Sequence, residues 1–143
     1  IWHRDNKRME KQKKVVDASV IVKWFVSEKD SDKAVKIRDE HVAGKTNLIA
    51  PELAFIEVLN ALKYKGVSEE KLLEVNKSLW DLQLKIENIR ASLLDKAINC
   101  SLKNKITLYD AIYVVLAQMF GSELITADSE LYKIPNVVPL EKA

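Results

Sequence analysis

The feature that most constrains this chain is an alternation of short apolar runs with longer stretches of helical periodicity. Strand-length runs lie at residues 14–16, 47–50, 123–126 and 137–140, with a weaker one at 82–86. Helical patterns cover residues 31–43, 52–65 and 109–120, and each is followed by a glycine: Gly44, Gly66 and Gly121. Glycine is favoured just past a helix end because the left-handed conformation there costs it nothing. Pro51 suits the first turn of the second helix. Ser68 can cap a further helix running through Leu72, Leu73, Val75 and Leu79, and residues 89–103 read as another. Strands that alternate with helices need crossover connections, and these produce a parallel sheet with both faces covered. The expected fold class is therefore α/β: a three-layer domain with a central, mostly parallel sheet of four to five strands and helices on both faces. Residues 111–117 are apolar around the whole helix, which places that helix at the centre.

With 143 residues there is enough chain for one domain with a sizeable core. We assign residues 14–143 to that single domain. The net charge of +2 hides an asymmetry, because residues 1–14 hold six bases and two acids while the rest holds 17 bases and 19 acids. Residues 1–13 read as a basic N-terminal arm, either a remnant or disordered. Such an arm can follow a phosphate backbone, although charge runs of this kind are usually solvated tails. The chain does not begin with Met, and Met9 reads as a natural start. The longest apolar run, 111–117, is far short of the roughly 20 residues that span a bilayer, and no secretory signal follows the basic residues. No membrane association is expected. The single cysteine, Cys100, excludes an internal disulfide and points to a reducing, cytoplasmic setting.

Several chemistries are absent. With all three glycines placed as helix caps, none remains for a phosphate-cradling loop, and there is no G-x-S-x-G elbow. His3 and His41 lack metal-ligand spacing with each other or with Cys100, and His41 reads as a surface residue near a helix end.

Four carboxylates remain. Asp17 and Asp128 each end a strand and precede a short helical segment, so each taken alone reads as an N-cap. Asp110 stands in Thr107-Leu108-Tyr109-Asp110, a capping-box pattern at the start of the central helix. Glu57 is harder to explain as a cap. It lies in the apolar run 53–62, whose only other polar residue, Asn60, is three positions on and shares a helix face. Burying a carboxylate there requires a lysine partner, donors or a metal ion, and all three remain open. In parallel α/β sheets ligands bind beyond the carboxyl ends of the strands, where Asp17 and Asp128 lie and where the Asp110 helix begins. Adjacent strands are about 4.8 Å apart, and two unit charges 4 Å apart repel by about 4 kcal/mol at an effective dielectric of 20. A divalent cation relieves that repulsion. All-oxygen ligands favour Mg²⁺ or Mn²⁺, one or two of which can activate water against a phosphodiester. Ser19, Thr126 and Asn60 are accessory polar candidates, with local hydrogen bonding an equally good account of the two hydroxyls.

These residues resemble the PIN-domain family, and more narrowly the VapC-type toxins of toxin–antitoxin pairs. The resemblance is carried by Val15-Val16-Asp17-Ala18-Ser19, by residues 51–62 ending in Glu57-Val58-Leu59-Asn60-Ala61-Leu62, by Tyr109-Asp110-Ala111-Ile112-Tyr113, and by Ile125-Thr126-Ala127-Asp128. It covers residues 14–141. Each motif is weak alone, but four in family order are specific. The resemblance implies a Mg²⁺- or Mn²⁺-dependent endoribonuclease cutting single-stranded RNA, with Asp17, Glu57, Asp110 and Asp128 as catalytic and metal-binding residues. It also implies a homodimer and a cognate antitoxin protein as partner. The alternatives are a PIN-domain RNA-processing nuclease and a non-catalytic PIN-like interaction module. A receiver-like phosphoacceptor domain ranks last, since no strand-end lysine of the required kind is evident.

Overall fold

A computed structural model describes residues 11–143. The expectation for a basic arm falls mainly on residues 1–10, outside the described residues. The chain begins with β1 (Gln12–Val16), then α1 (Ala18–Ile21), a 3-10 turn at Val22–Trp24 and α2 (Ser31–Val42). It continues through β2 (Thr46–Pro51), α3 (Leu53–Tyr64), α4 (Glu69–Asp81), β3 (Lys85–Glu87), α5 (Ala91–Asn104) and α6 (Leu108–Met119). Last come β4 (Glu123–Thr126), a 3-10 turn at Ser129–Leu131, β5 (Val137–Pro139) and a 3-10 turn at Leu140–Lys142. The five strands form one sheet in the order β3-β2-β1-β4-β5, and every pairing is parallel. The expected alternation, strand number and layering are all present.

Burial explains the sheet. Consecutive residues Val15 and Val16 are both fully buried, as are Leu48, Ile49 and Ala50. Successive strand side chains point to opposite faces, so both faces of β1 and β2 are covered. Helix α6 packs on β1, β2 and β4, and α5 packs on α6. All seven residues Ala111–Ala117 are buried, as expected of a helix that is apolar all round. Helix α4 is amphipathic instead: Ser68 caps it, Glu69 and Glu70 complement its positive end, and Val75 and Leu79 are buried. Gly44, Gly66 and Gly121 all take positive φ, and the residue after each returns its N–H to a carbonyl in the preceding helix.

Three expectations need correction. Strand β1 starts at Gln12, two residues early, because its pairing with β2 begins at Gln12 opposite Thr46. Pro51 ends β2 and does not open α3. The N–H groups of Leu48 and Glu52 both face the β3 side of the strand, so position 51 faces β1, whose pairing with β2 has ended at Ile49. No donor is needed there, which makes the position suitable for proline. His41 is not a simple surface residue. Its Nδ1 accepts from the Leu48 N–H (3.1 Å) and its Nε2 faces the Leu82 carbonyl (2.8 Å). The imidazole thus bridges β2 and the turn after α4, just before β3 begins to pair.

Candidate active site

Asp17 lies immediately beyond β1, and its N–H still donates to Ile125 of β4. As expected of a cap, its Oδ1 accepts from the Ser19 and Val20 N–H groups at 3.1 and 3.4 Å. Capping is only part of its environment. Ser19 Oγ donates to Oδ1 (2.5 Å) while accepting from the Ala127 N–H (2.9 Å). Thr126 Oγ1 donates to Oδ2 and accepts from the Asp128 N–H (3.0 Å). Two hydroxyl relays therefore run in parallel from the backbone at the end of β4 into one carboxylate. Polarised chains of this kind reinforce each bond within them. Thr126 is fully buried and Asp17 only 5% exposed, so the carboxylate is held in one orientation.

The other three acids come from different elements. Thr107 caps α6 by accepting from the Asp110 N–H (3.0 Å), while the reciprocal half of the capping box is not formed. Asp128 caps the following 3-10 turn by accepting from the Glu130 N–H (3.0 Å). Glu57 projects from α3, and its Oε1 accepts from the Tyr113 hydroxyl at 2.6 Å. Tyr113 was not singled out in the sequence. Its signal is a hydroxyl in an otherwise apolar helix, three residues after Asp110 and so on the same face.

Charge ties the four together, with Asp110 as the common neighbour. Burial pushes the Asp17 carboxyl up to about 6, against its hydrogen bonds from Ser19, Thr126 and Val20, and the charge of Asp110 adds to the rise. Burial likewise raises Glu57, with the Tyr113 hydrogen bond opposing and Asp110 adding. Burial raises Asp110, and so do the charges of Asp128 and the exposed Glu130, with a hydrogen bond from the Thr107 side chain opposing. Burial and the adjacent Glu57 raise the Tyr113 phenol. Among the described residues the ion pairs lie elsewhere, and none includes Asp17, Glu57, Asp110 or Asp128.

The candidates Ser19 and Thr126 adjoin Asp17 directly, whereas Asn60 does not reach the carboxylates. The α3 face bearing Glu57 continues through Ala61 and Lys65, while Asn60 lines an apolar groove with Ile56, Leu59 and Leu72. Among the described residues no three His, Cys, Asp or Glu side chains yet stand close enough to close on one ion. The donor set is nonetheless all oxygen, anionic and without a neutralising cation. That chemistry fits a hard divalent ion such as Mg²⁺, which keeps several waters and takes few direct protein ligands.

An α/β domain with an acidic cleft at the carboxyl ends of parallel strands is the architecture of a class of nucleases. The PIN-domain family model matches residues 14–137, and the chain belongs to the PIN-domain family. It is 35% identical over 133 residues to a ribonuclease, VapC3, of Pyrobaculum aerophilum, covering 88% of this chain and 98% of that one. Two solved structures share the fold. A toxin–antitoxin complex from Klebsiella pneumoniae matches with a TM-score of 0.70 and 20% identity, over 90% of this chain and 98% of that one. The toxin VapC20 of Mycobacterium tuberculosis, which cleaves the sarcin–ricin loop, matches with a TM-score of 0.72 and 13% identity, over 87% and 96%.

Proposed function

We propose that this chain is the toxin of a type II toxin–antitoxin pair, a metal-dependent endoribonuclease that cleaves single-stranded RNA. The observation that carries the reading is the buried Asp17, oriented by two hydroxyl relays and raised further by the charge of Asp110, with neither acid in an ion pair among the described residues. A structural cap has no use for such an arrangement, since capping needs only the N–H bonds. The 35% identity to a ribonuclease over nearly the full length supports the same activity.

Asp17, Asp110, Asp128 and Glu57 are the groups that would hold one or two Mg²⁺ or Mn²⁺ ions, which when bound supply an activated water and charge for the leaving oxygen. The chain's own contribution is preorganisation. Ser19 and Thr126 lock the Asp17 carboxylate, Tyr113 locks Glu57, and the first turn of α6 holds Asp110 near enough for its charge to act on both. Fixed donors and acceptors need no rearrangement as charge develops, which is where enzymes gain most.

The cognate partner is an antitoxin protein, by analogy with the toxin–antitoxin complex that shares this fold; the family resemblance implies a homodimer as the working form. Among the described residues no helix is long and apolar enough to cross a membrane. We place the protein in the cytoplasm, with Cys100 as a free thiol.

The test is cleavage of a single-stranded RNA. With Mn²⁺ present the wild type cuts it, and EDTA or Asp110→Asn removes the cut while the protein stays folded. Cleavage that survives Asp110→Asn refutes the site, and a pure protein inert toward RNA in Mg²⁺ and Mn²⁺ refutes the activity.

A further inference from the structure

An acidic cleft repels the polyanion it is meant to cut, so cations must lie close by to hold the strand. Next to Ser19 and Glu57 is a cleft of about 440 Å³ whose far wall is formed by Lys23, Lys65 and Glu28. Lys65 Nζ donates to Glu28 Oε2 at 2.5 Å, and Lys23 Nζ lies 3.5 Å from Oε1. One carboxylate thus spans two ammonium groups and leaves one net positive charge. The placement is built into the fold. Lys65, the residue that closes α3, lies about two turns on from Glu57, and Lys23 follows Asp17 by six residues. The Lys23 side chain is only 13% exposed, which fixes its ammonium in a way that a surface lysine is not fixed. Glu28 is held in turn, because its N–H donates to Ser31 Oγ (2.8 Å), which itself donates to the Val26 carbonyl. The Lys65 hydrogen bond, with Lys23 adding, keeps the Glu28 carboxyl below the usual range, so it is an anion at neutral pH.

We propose that Lys23 and Lys65 form the seat for an RNA backbone phosphate next to the one being cut, and that Glu28 occupies this seat in the free protein. A carboxylate bridging two ammonium groups has the charge and oxygen geometry of the phosphate that replaces it. Binding of the strand then exchanges one anion for another, and Glu28 swings out to solvent. Glu28 sets the affinity by competing for the seat. This seat rests on the ribonuclease reading for its purpose but can be measured without cleavage.

The experiment is a titration of a fluorescein-labelled single-stranded RNA in EDTA at several salt concentrations, followed by KM and kcat with Mn²⁺. Replacing both lysines (Lys23→Gln with Lys65→Gln) should weaken binding about tenfold. It should also lower the slope of log affinity against log salt by about 0.7, the share of one phosphate on a single strand. Glu28→Gln should do the opposite and tighten binding about threefold. Both changes break the same ion pairs, so a purely structural role moves affinity the same way in the two variants, following the melting temperature. Lys23→Arg with Lys65→Arg keeps the charge and should restore most of the binding. Like-signed effects, or an unchanged salt slope in the lysine variant, overturn the seat. A wild type that binds but never cuts counts against the ribonuclease reading alone, and one that cuts while the lysine variant retains its affinity and slope counts against the seat alone.

Discussion

Replacing Asp17 with asparagine should stabilise the metal-free protein. The carboxyl ordinarily titrates near 3.8 and is pushed up to about 6 in the folded chain, which at pH 7 amounts to about 3 kcal/mol against the ionised form. Asparagine keeps the Oδ1 acceptor for the Ser19 and Val20 N–H groups, so the cap survives. Its amide replaces Oδ2, and the Thr126 hydroxyl must turn to accept from it, which takes back part of the gain. The net expectation is about 2 kcal/mol, or roughly 4–8 °C in melting temperature for a chain of this size. The sign against pH follows from the same shift. The folded state holds this proton more tightly than the unfolded chain, so the group favours folding most below pH 3.8 and that advantage is lost as the pH rises to about 6. In EDTA the gap between variant and wild type should therefore open across that window and stay open above it. Mg²⁺ should raise the wild type by about 1.4 kcal/mol at ten times its dissociation constant and leave the variant unmoved. Calorimetric melts in EDTA and in Mg²⁺ at several pH values check all of this. A variant that melts lower than wild type in EDTA at pH 7 would show that the hydroxyl bonds to the carboxylate outweigh its burial and repulsion, and the reasoning would be wrong.

Three other perturbations test separate parts of the structure. Tyr113→Phe removes the donor that holds Glu57 and should cost about 1 kcal/mol. It should also shift the acidic limb of the cleavage profile to higher pH, because that hydrogen bond lowers the Glu57 carboxyl; an unmoved limb would exclude Glu57 from catalysis. His41→Ala leaves the Leu48 N–H and Leu82 carbonyl without their imidazole partner, so urea denaturation should show a loss of about 2 kcal/mol. Leu124→Ala opens a hole in a fully buried position of β4 and should cost about 3 kcal/mol by the same measurement, while a loss below 1 kcal/mol would contradict the packing around that strand.

The strands, the helices and their ends were readable because the chemistry that sets them is local. Gly44, Gly66 and Gly121 mark helix ends by a backbone requirement, and Ser68 and Thr107 mark starts by a side-chain acceptor. The strand-end positions of Asp17 and Asp128 were readable for the same reason. What escaped depends on partners far along the chain. The bond from Tyr113 to Glu57 joins residues 56 apart, and Lys65 meets Glu28 across 37. Periodicity puts Glu57 and Asn60 on a shared face of α3, but the packing of α4 draws Asn60 to a groove while Glu57 meets Tyr113 near Asp110. The same packing leaves Ile56 exposed within a run that reads as buried. Pro51 was misplaced because a strand end facing no partner and a first helical turn make the same demand of a residue, the absence of an N–H donor.

Strand β1 sits at the middle of the sheet, and its two neighbours are made at very different times. The β2 side is complete soon after it, but Ser19 must wait 107 residues for Thr126. A chain interrupted anywhere before β4 carries Asp17 without its second hydroxyl relay and lacks Asp128 altogether. Synthesis runs from the N-terminus, so Asp17 emerges long before the residues that orient it. The hydroxyl relays and the four-carboxylate group therefore come into being together, only once the segment carrying Thr126, Ala127 and Asp128 has been made.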